Sequence, residues 1–451
     1  MPAALLAALP AQAVSFRFVY GPNTPLEQMI GFEIAGNIWS SYLKNEVTLN
    51  IYVETTSTLP DGVVGGALPG IEAEYNYKDL VNAFQDSVAS QADASAYGSL
   101  PIKNFAFEFR SNSKNALIKK VKKINFTRAN AKALGIIESG RNKNDKKDKK
   151  VEKLDGVILM SDLSNMSLSW NYALTGSLSA RQLDFGAVAL HELGHTLGFI
   201  SGVDDPGFIS MVIEQQAKRK AIKGDKMKFS TILDLFRYSP SSAANGIPDL
   251  TFSREEKYFS VDGGKTNLGA FSLGAELEDF QASHWRDQSD TLGMMAPLLR
   301  PGQREQITNL DLIAFDVLGW TVGPAADSLN SAQLEQQARS RLAQSLGVSP
   351  DWLTANAIAA ATRLQENRDK QIEKMIKDSK RYDRRRSSRT RYLQESWRSI
   401  YAQEAYLSSV TLSEPAVAEP VPEPGTTAAW ISVGLLGLGI KQGRGRIKLS
   451  A

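Results

Sequence analysis

The chain has 451 residues, a formal net charge of +3 and 42% hydrophobic residues, enough for one large or two medium domains. So small a charge on this length makes no case for a nucleic-acid partner. It contains no cysteine, which excludes disulfides, thiolate metal ligands, a cysteine nucleophile and latency through a cysteine that blocks a metal.

Residues 3–13 are small and apolar and finish in Ala11-Gln12-Ala13, the pattern of a secretory h-region and its A-x-A cleavage site, although no basic n-region precedes them. We therefore expect a signal segment over 1–13 and export of the protein. Residues 14–20 alternate like a half-buried strand. Gly21-Pro22-Asn23 turns the chain, and Thr24 with Glu27 has the spacing of a capping box for a helix to about Lys44. Strand patterns follow at 47–53 and 105–109, with a helical pattern over 77–94 between them. The charged run 141–153 reads as a solvated loop. Residues 157–160 read as a buried strand and 167–174 as the next one.

The next stretch carries the chemistry. After the apolar residues 183–190 comes His191-Glu192-Leu193-Gly194-His195, then Gly198-Phe199. Residues four apart lie on one helix face, so His191 and His195 can address one metal ion. Glu192 stands beside the first of them, where its carboxylate can reach a metal-activated water and act as general base for attack on a carbonyl. The chain has only three histidines, and two of them sit at this ligand spacing. The cofactor expected is Zn2+.

Residues 202–283 read as an insert, with a hairpin around Asp262-Gly263-Gly264. Residues 307–318 form a helical pattern closed by Gly319. Beyond Pro324 the composition changes. Residues 326–412 are charged and helix-prone, with Lys and Arg dense over 370–398 around Arg384-Arg385-Arg386. This arm is either a solvated helix or a site for an anionic polysaccharide. Val421-Pro422-Glu423-Pro424-Gly425 then precedes an apolar run of about 15 residues and the basic residues Lys441, Arg444, Arg446 and Lys448. This tail over 413–451 resembles the PEP-CTERM sorting signal of exopolysaccharide-producing bacteria. The resemblance implies export, transient membrane anchoring and cleavage near Pro-Glu-Pro by a sorting protease. An ordinary C-terminal membrane anchor is the alternative.

A catalytic zinc takes three protein ligands and leaves a fourth position open. In the common metzincin pattern, HExxHxxGxxH, the third ligand would fall on Ser201, which is no zinc ligand. Asp204 or Asp205 could substitute. A thermolysin-like site would use Glu276 or Glu278. The remaining histidine, His284, stands in Ser283-His284-Trp285 and is followed by Gly293-Met294-Met295-Ala296-Pro297. With these residues the stretch from about Phe185 to Pro297 resembles the leishmanolysin-type metzincins, in which an insert separates the second and third histidines and a Met-Ala-Pro turn follows. The resemblance implies a mixed α/β (α+β) zincin with a twisted sheet over the HExxH helix. It implies His191, His195 and His284 as metal ligands, Glu192 as catalytic residue and Met295 beneath the metal.

The expected protein is a secreted zinc endopeptidase, its metallopeptidase domain over 14–325. A polypeptide substrate would bind extended along a sheet edge, which we place at 167–174. The rival readings are a non-catalytic matrix or adhesion protein with a zinc site, a polyanion binder working through the basic arm, and a gluzincin-type peptidase.

Overall fold

The computed structural model describes residues 14–355 and 421–422, except 22–23, 60–61, 112–113, 138–153, 206, 213–223, 225–226, 275–276, 278–279, 287–291 and 326–329. It is a mixed α/β protein built on a four-stranded sheet. The strands are β1 (Val14–Tyr20), β2 (Val47–Thr56), β3 (Gly65–Pro69) and, much later in the chain, β8 (Gly156–Ser161). Their order is β1-β2-β8-β3. The first three positions are parallel, and β3 closes one edge antiparallel to β8.

Between β3 and β8 come β4 (Ile71–Asn76), β5 (Phe105–Ser111), β6 (Lys114–Val121) and β7 (Lys123–Thr127). They form the antiparallel pairs β4–β7 and β5–β6. Short β9 (Ser169–Asn171) and β10 (Gln182–Asp184) pair in parallel apart from the main sheet. The insert contributes β11 (Arg237–Tyr238), β12 (Lys257–Phe259) and β13 (Gly269–Phe271), an antiparallel ladder. The hairpin expected around Asp262–Gly264 is the turn between its last two strands. The final pair joins β14 (Leu298–Leu299) to β15 (Val421–Pro422).

Two helices set the core. Helix α1 (Leu26–Tyr42) is buried along most of its length, as is α5 (Phe185–Thr196), and the two pack against each other. A polar bond fixes their contact: Trp39 Nε1 donates to the Leu190 carbonyl at 2.9 Å. Helix α5 also lies against β3 and β8. Asp184 caps its N-terminus by accepting from Gly186 N at 3.0 Å. At its other end Gly198 takes φ +121, a left-handed conformation that β-carbon residues resist, and turns the chain away. The Leu197 carbonyl just past the helix receives Asn130 Nδ2 at 2.9 Å and Trp320 Nε1 at 2.8 Å. Asn130 belongs to α4 (Arg128–Ala133), and Trp320 follows α6 (Asn309–Val317).

Several local expectations are corrected. Thr24 and Glu27 form no capping box: Pro25 is the N-cap of α1, and the Thr24 hydroxyl donates to the Gly21 carbonyl. The pattern over 77–94 is two helices, α2 (Tyr77–Asp86) and α3 (Gln91–Ser99), because Ser90 caps a new start by accepting from Asp93 N. The segment 167–174 is not an edge of the main sheet. Only its central β9 is a strand, and its partner is β10. The sheet edge beside α5 is β3, whose Gly-Gly-Ala-Leu-Pro sequence carries little strand signal.

The boundary expected near 325 precedes α7 (Ser331–Leu346), yet this helix does not stand apart. Its Ala338, Leu342 and Ala343 are buried, and it packs along α1. The basic stretch 370–398 and the charged run 141–153 lie outside the described residues, as does nearly all of the tail.

Packing α7 on α1 encloses Glu33. Its Oε1 accepts from Tyr20 Oη at 3.3 Å. Burial pushes its carboxyl up to about 7, opposed by the charge of Arg341 on α7 and by the Tyr20 hydrogen bond. In the unfolded chain the same group ionises near 4.5. The folded state therefore binds the proton more tightly, and the stability due to this group is lost as pH rises from about 4.5 to about 7. Glu33→Gln should match the wild type near pH 4 and exceed it by roughly 3 kcal/mol at pH 8, as read by urea unfolding across pH.

Candidate metal centre

Helix α5 places His191, Glu192 and His195 in its last two turns, and all three are buried. His284 arrives from the far side of the insert and is also buried. The nitrogens that the three histidines offer lie within 4.8 Å of one another. His191 Nε2 and His195 Nε2 are 3.2 Å apart, close to the about 3.3 Å that two nitrogen ligands keep in a tetrahedral zinc site.

Backbone carbonyls fix the ring orientations. His191 Nδ1 lies 2.6 Å from the Met294 carbonyl, His195 Nδ1 2.7 Å from Phe199 O, and His284 Nδ1 3.2 Å from Gln281 O. A carbonyl can only accept, so a proton on each Nδ1 answers it and each Nε2 is the atom that could face a metal. This is the outer-shell arrangement that metal-bound histidines require. The donor set therefore fits a divalent ion of the zinc type: three imidazoles, converging and buried, beside a carboxylate.

The turn after the insert supports the site from below. A Cβ on Gly194 would overlap Met295 Sδ, so the sulfur packs directly under the helix between the two histidines. The adjacent methionines divide the work, with Met295 supplying the side chain and Met294 the carbonyl for His191. Asp311 on α6 holds this turn. Its Oδ2 accepts from Met294 N at 2.8 Å, and its Oδ1 accepts from Met295 N at 3.3 Å and Trp285 Nε1 at 2.8 Å. The same carboxylate completes a capping box with Thr308. The Thr308-x-x-Asp311 spacing marks a helix start in the sequence, but nothing there reveals the second role.

Asp204 and Asp205 do not join the histidine cluster. Asp205 Oδ1 accepts from Gly207 N, and the Asp204 carboxylate is occupied by the backbone of Ala282 and Ser283. Burial raises the carboxyl of Asp204 to about 6, countered by these hydrogen bonds. Ser201, at the usual third-ligand position, donates its hydroxyl to Asp234 instead. Glu276 and Glu278 lie outside the described residues.

A zinc titration of the metal-free chain should give one ion per wild-type molecule. His284→Ala should weaken binding beyond the about 10–100-fold typical of losing an outer-shell partner. Retention of tight binding by that variant would return the third ligand to a carboxylate. Comparison with family models, with curated proteins and with solved structures finds no match to this chain.

Proposed function

We propose that this chain is a zinc endopeptidase of the leishmanolysin-like metzincin kind. The observation that carries the reading is the buried convergence of His191, His195 and His284, each with Nδ1 held by a backbone carbonyl, beside Glu192 on the same helix. A site that only stored or bridged a metal would not need that carboxylate. The Met295 packing and the long insert before His284 agree with the same family reading.

When bound, zinc supplies Lewis acidity at the scissile carbonyl and brings the pKa of a water toward ~7. The chain's own groups do the rest. Strand β3 ends the sheet and has no strand partner on its outer side among the described residues, so an extended peptide can pair with it by strand addition. Glu192 accepts the proton of the attacking water on its carboxylate and passes it to the leaving amine nitrogen. Gly65 on β3 makes room for this: a Cβ there would lie 2.5 Å from Glu192 Oε1 and 2.9 Å from Val188 Cγ1. Absence of a side chain lets the substrate edge and the base share one cleft wall.

Export and transient anchoring remain part of the proposal, supported by the composition of the two ends. Among the described residues no helix is long and apolar enough to cross a membrane. The basic stretch 370–398 is proposed as a contact for anionic polysaccharide on its charge alone.

Glu192→Gln should keep the metal and lose about 10²–10⁴-fold in peptide hydrolysis. Full activity in that variant would remove the catalytic reading and leave a non-catalytic zinc protein. Gly65→Ala should likewise retain metal while kcat falls, because the new methyl displaces the base; an unchanged kcat would show that β3 does not border the reacting centre.

A further inference from the structure

The third ligand is separated from the first two by the whole insert, so something must set its position. We propose that Asp204 is the positioning residue that fixes His284 in the metal centre. The inference rests on the metal reading above.

Asp204 ends a single 3-10 turn, Gly202–Asp204, entered soon after the chain leaves α5. Its Oδ1 accepts from Ala282 N at 2.7 Å, and its Oδ2 accepts from Ser283 N at 2.8 Å and from the Ser283 hydroxyl. One carboxylate thus holds the two residues that precede His284. The Ser283 hydroxyl in turn accepts from Ser201 N at 2.9 Å. Ser201 Oγ donates to Asp234 Oδ1 at 2.5 Å, and Asp234 Oδ2 accepts from Gly202 N at 2.9 Å and Thr231 N at 2.7 Å. The two carboxylates sew three segments into one seam: the exit from the metal helix, the middle of the insert, and the approach to His284.

The other side of His284 is held differently. The His284 carbonyl accepts from Ser272 N at 3.0 Å, Trp285 N donates to Met295 O at 2.9 Å, and Arg286 N donates to Ala270 O at 2.8 Å. That side is therefore tied to β13 and the methionine turn. The preceding side depends on Asp204 and on the Gln281 carbonyl at the ring. Ser201 and Asp204 thus act on the third histidine from outside the cluster. Charge-assisted bonds to two successive backbone N–H groups are short and directional, which suits them to fixing an imidazole.

The experiment measures metal affinity by chelator competition, and the visible spectrum of the cobalt(II)-loaded chain, for wild type, Asp204→Ala, Asp204→Asn, Ser283→Ala and Asp205→Ala. Asp204→Ala should weaken metal binding by about 10–100-fold with one ion still bound at saturation, and should shift the cobalt bands. Asp204→Asn, which keeps one acceptor oxygen, should recover part of the affinity. Ser283→Ala should show a smaller loss, and Asp205→Ala none. Should Asp204→Ala not fold, the graded Asn and Ser283 variants carry the same comparison. Wild-type affinity and an unshifted spectrum in folded Asp204 variants would overturn the inference and leave the metal reading intact. Failure of the wild type to bind any divalent metal would overturn both.

Discussion

Burying three imidazoles around one point is the constraint on which this molecule is organised. A buried polar ring must have its donor answered, and each of these does so with a main-chain carbonyl. Those carbonyls come from three places: the methionine turn, the residue after the glycine that ends α5, and the approach to His284. Ring orientation is thereby written into the backbone path of three separate segments. The fold can be understood as the set of contacts that holds those paths still.

The contacts are mostly polar bonds to single backbone atoms inside a packed aromatic shell. Around the end of α5, Phe199 lies tilted against Phe271 and Phe315 and edge-on to Trp285, and Phe271 stacks on Trp285. Their apolar bulk excludes water and supplies non-directional cohesion. Direction comes from Trp39, Asn130 and Trp320 donating to carbonyls along and beyond α5, and from Asp311 and Asp204 accepting from the segments that flank His284. A carboxylate that receives several N–H groups is fixed in direction by them, and buried Asp234 is a further example of the type, with the charge of Arg237 acting on both it and Asp204.

Local chemistry was legible where it is dense. The HExxH spacing, the serine at the usual third-ligand place and the single remaining histidine led to the three residues that the structure brings together. Strands β1, β2, β5 and β8 and helices α1 and α6 were readable from period and apolar content. Strand β3 was not, because Gly65, Gly66 and Pro69 are poor strand formers and the strand exists through pairing with β8. The break between α2 and α3 depends on one capping serine. The docking of α7 on α1 was hidden because its buried stripe is narrow, with alanine at two of three buried positions. The seam of Ser201, Asp204, Asp234 and Ser283 was invisible for another reason: small polar residues far apart in a sequence say nothing about which backbone amides they will meet.

The double acceptance at the Leu197 carbonyl has a consequence for the order in which the protein takes shape. One of its donors, Asn130, is made before α5, but the other, Trp320, follows it by more than a hundred positions. Asp311, which anchors the methionine turn, is equally late. During synthesis the helix with two histidines emerges long before the groups that lock its end and seat the third. The cluster is thus completed only after residue 320 is free to fold back, and a partly synthesised chain carries the histidines without the site.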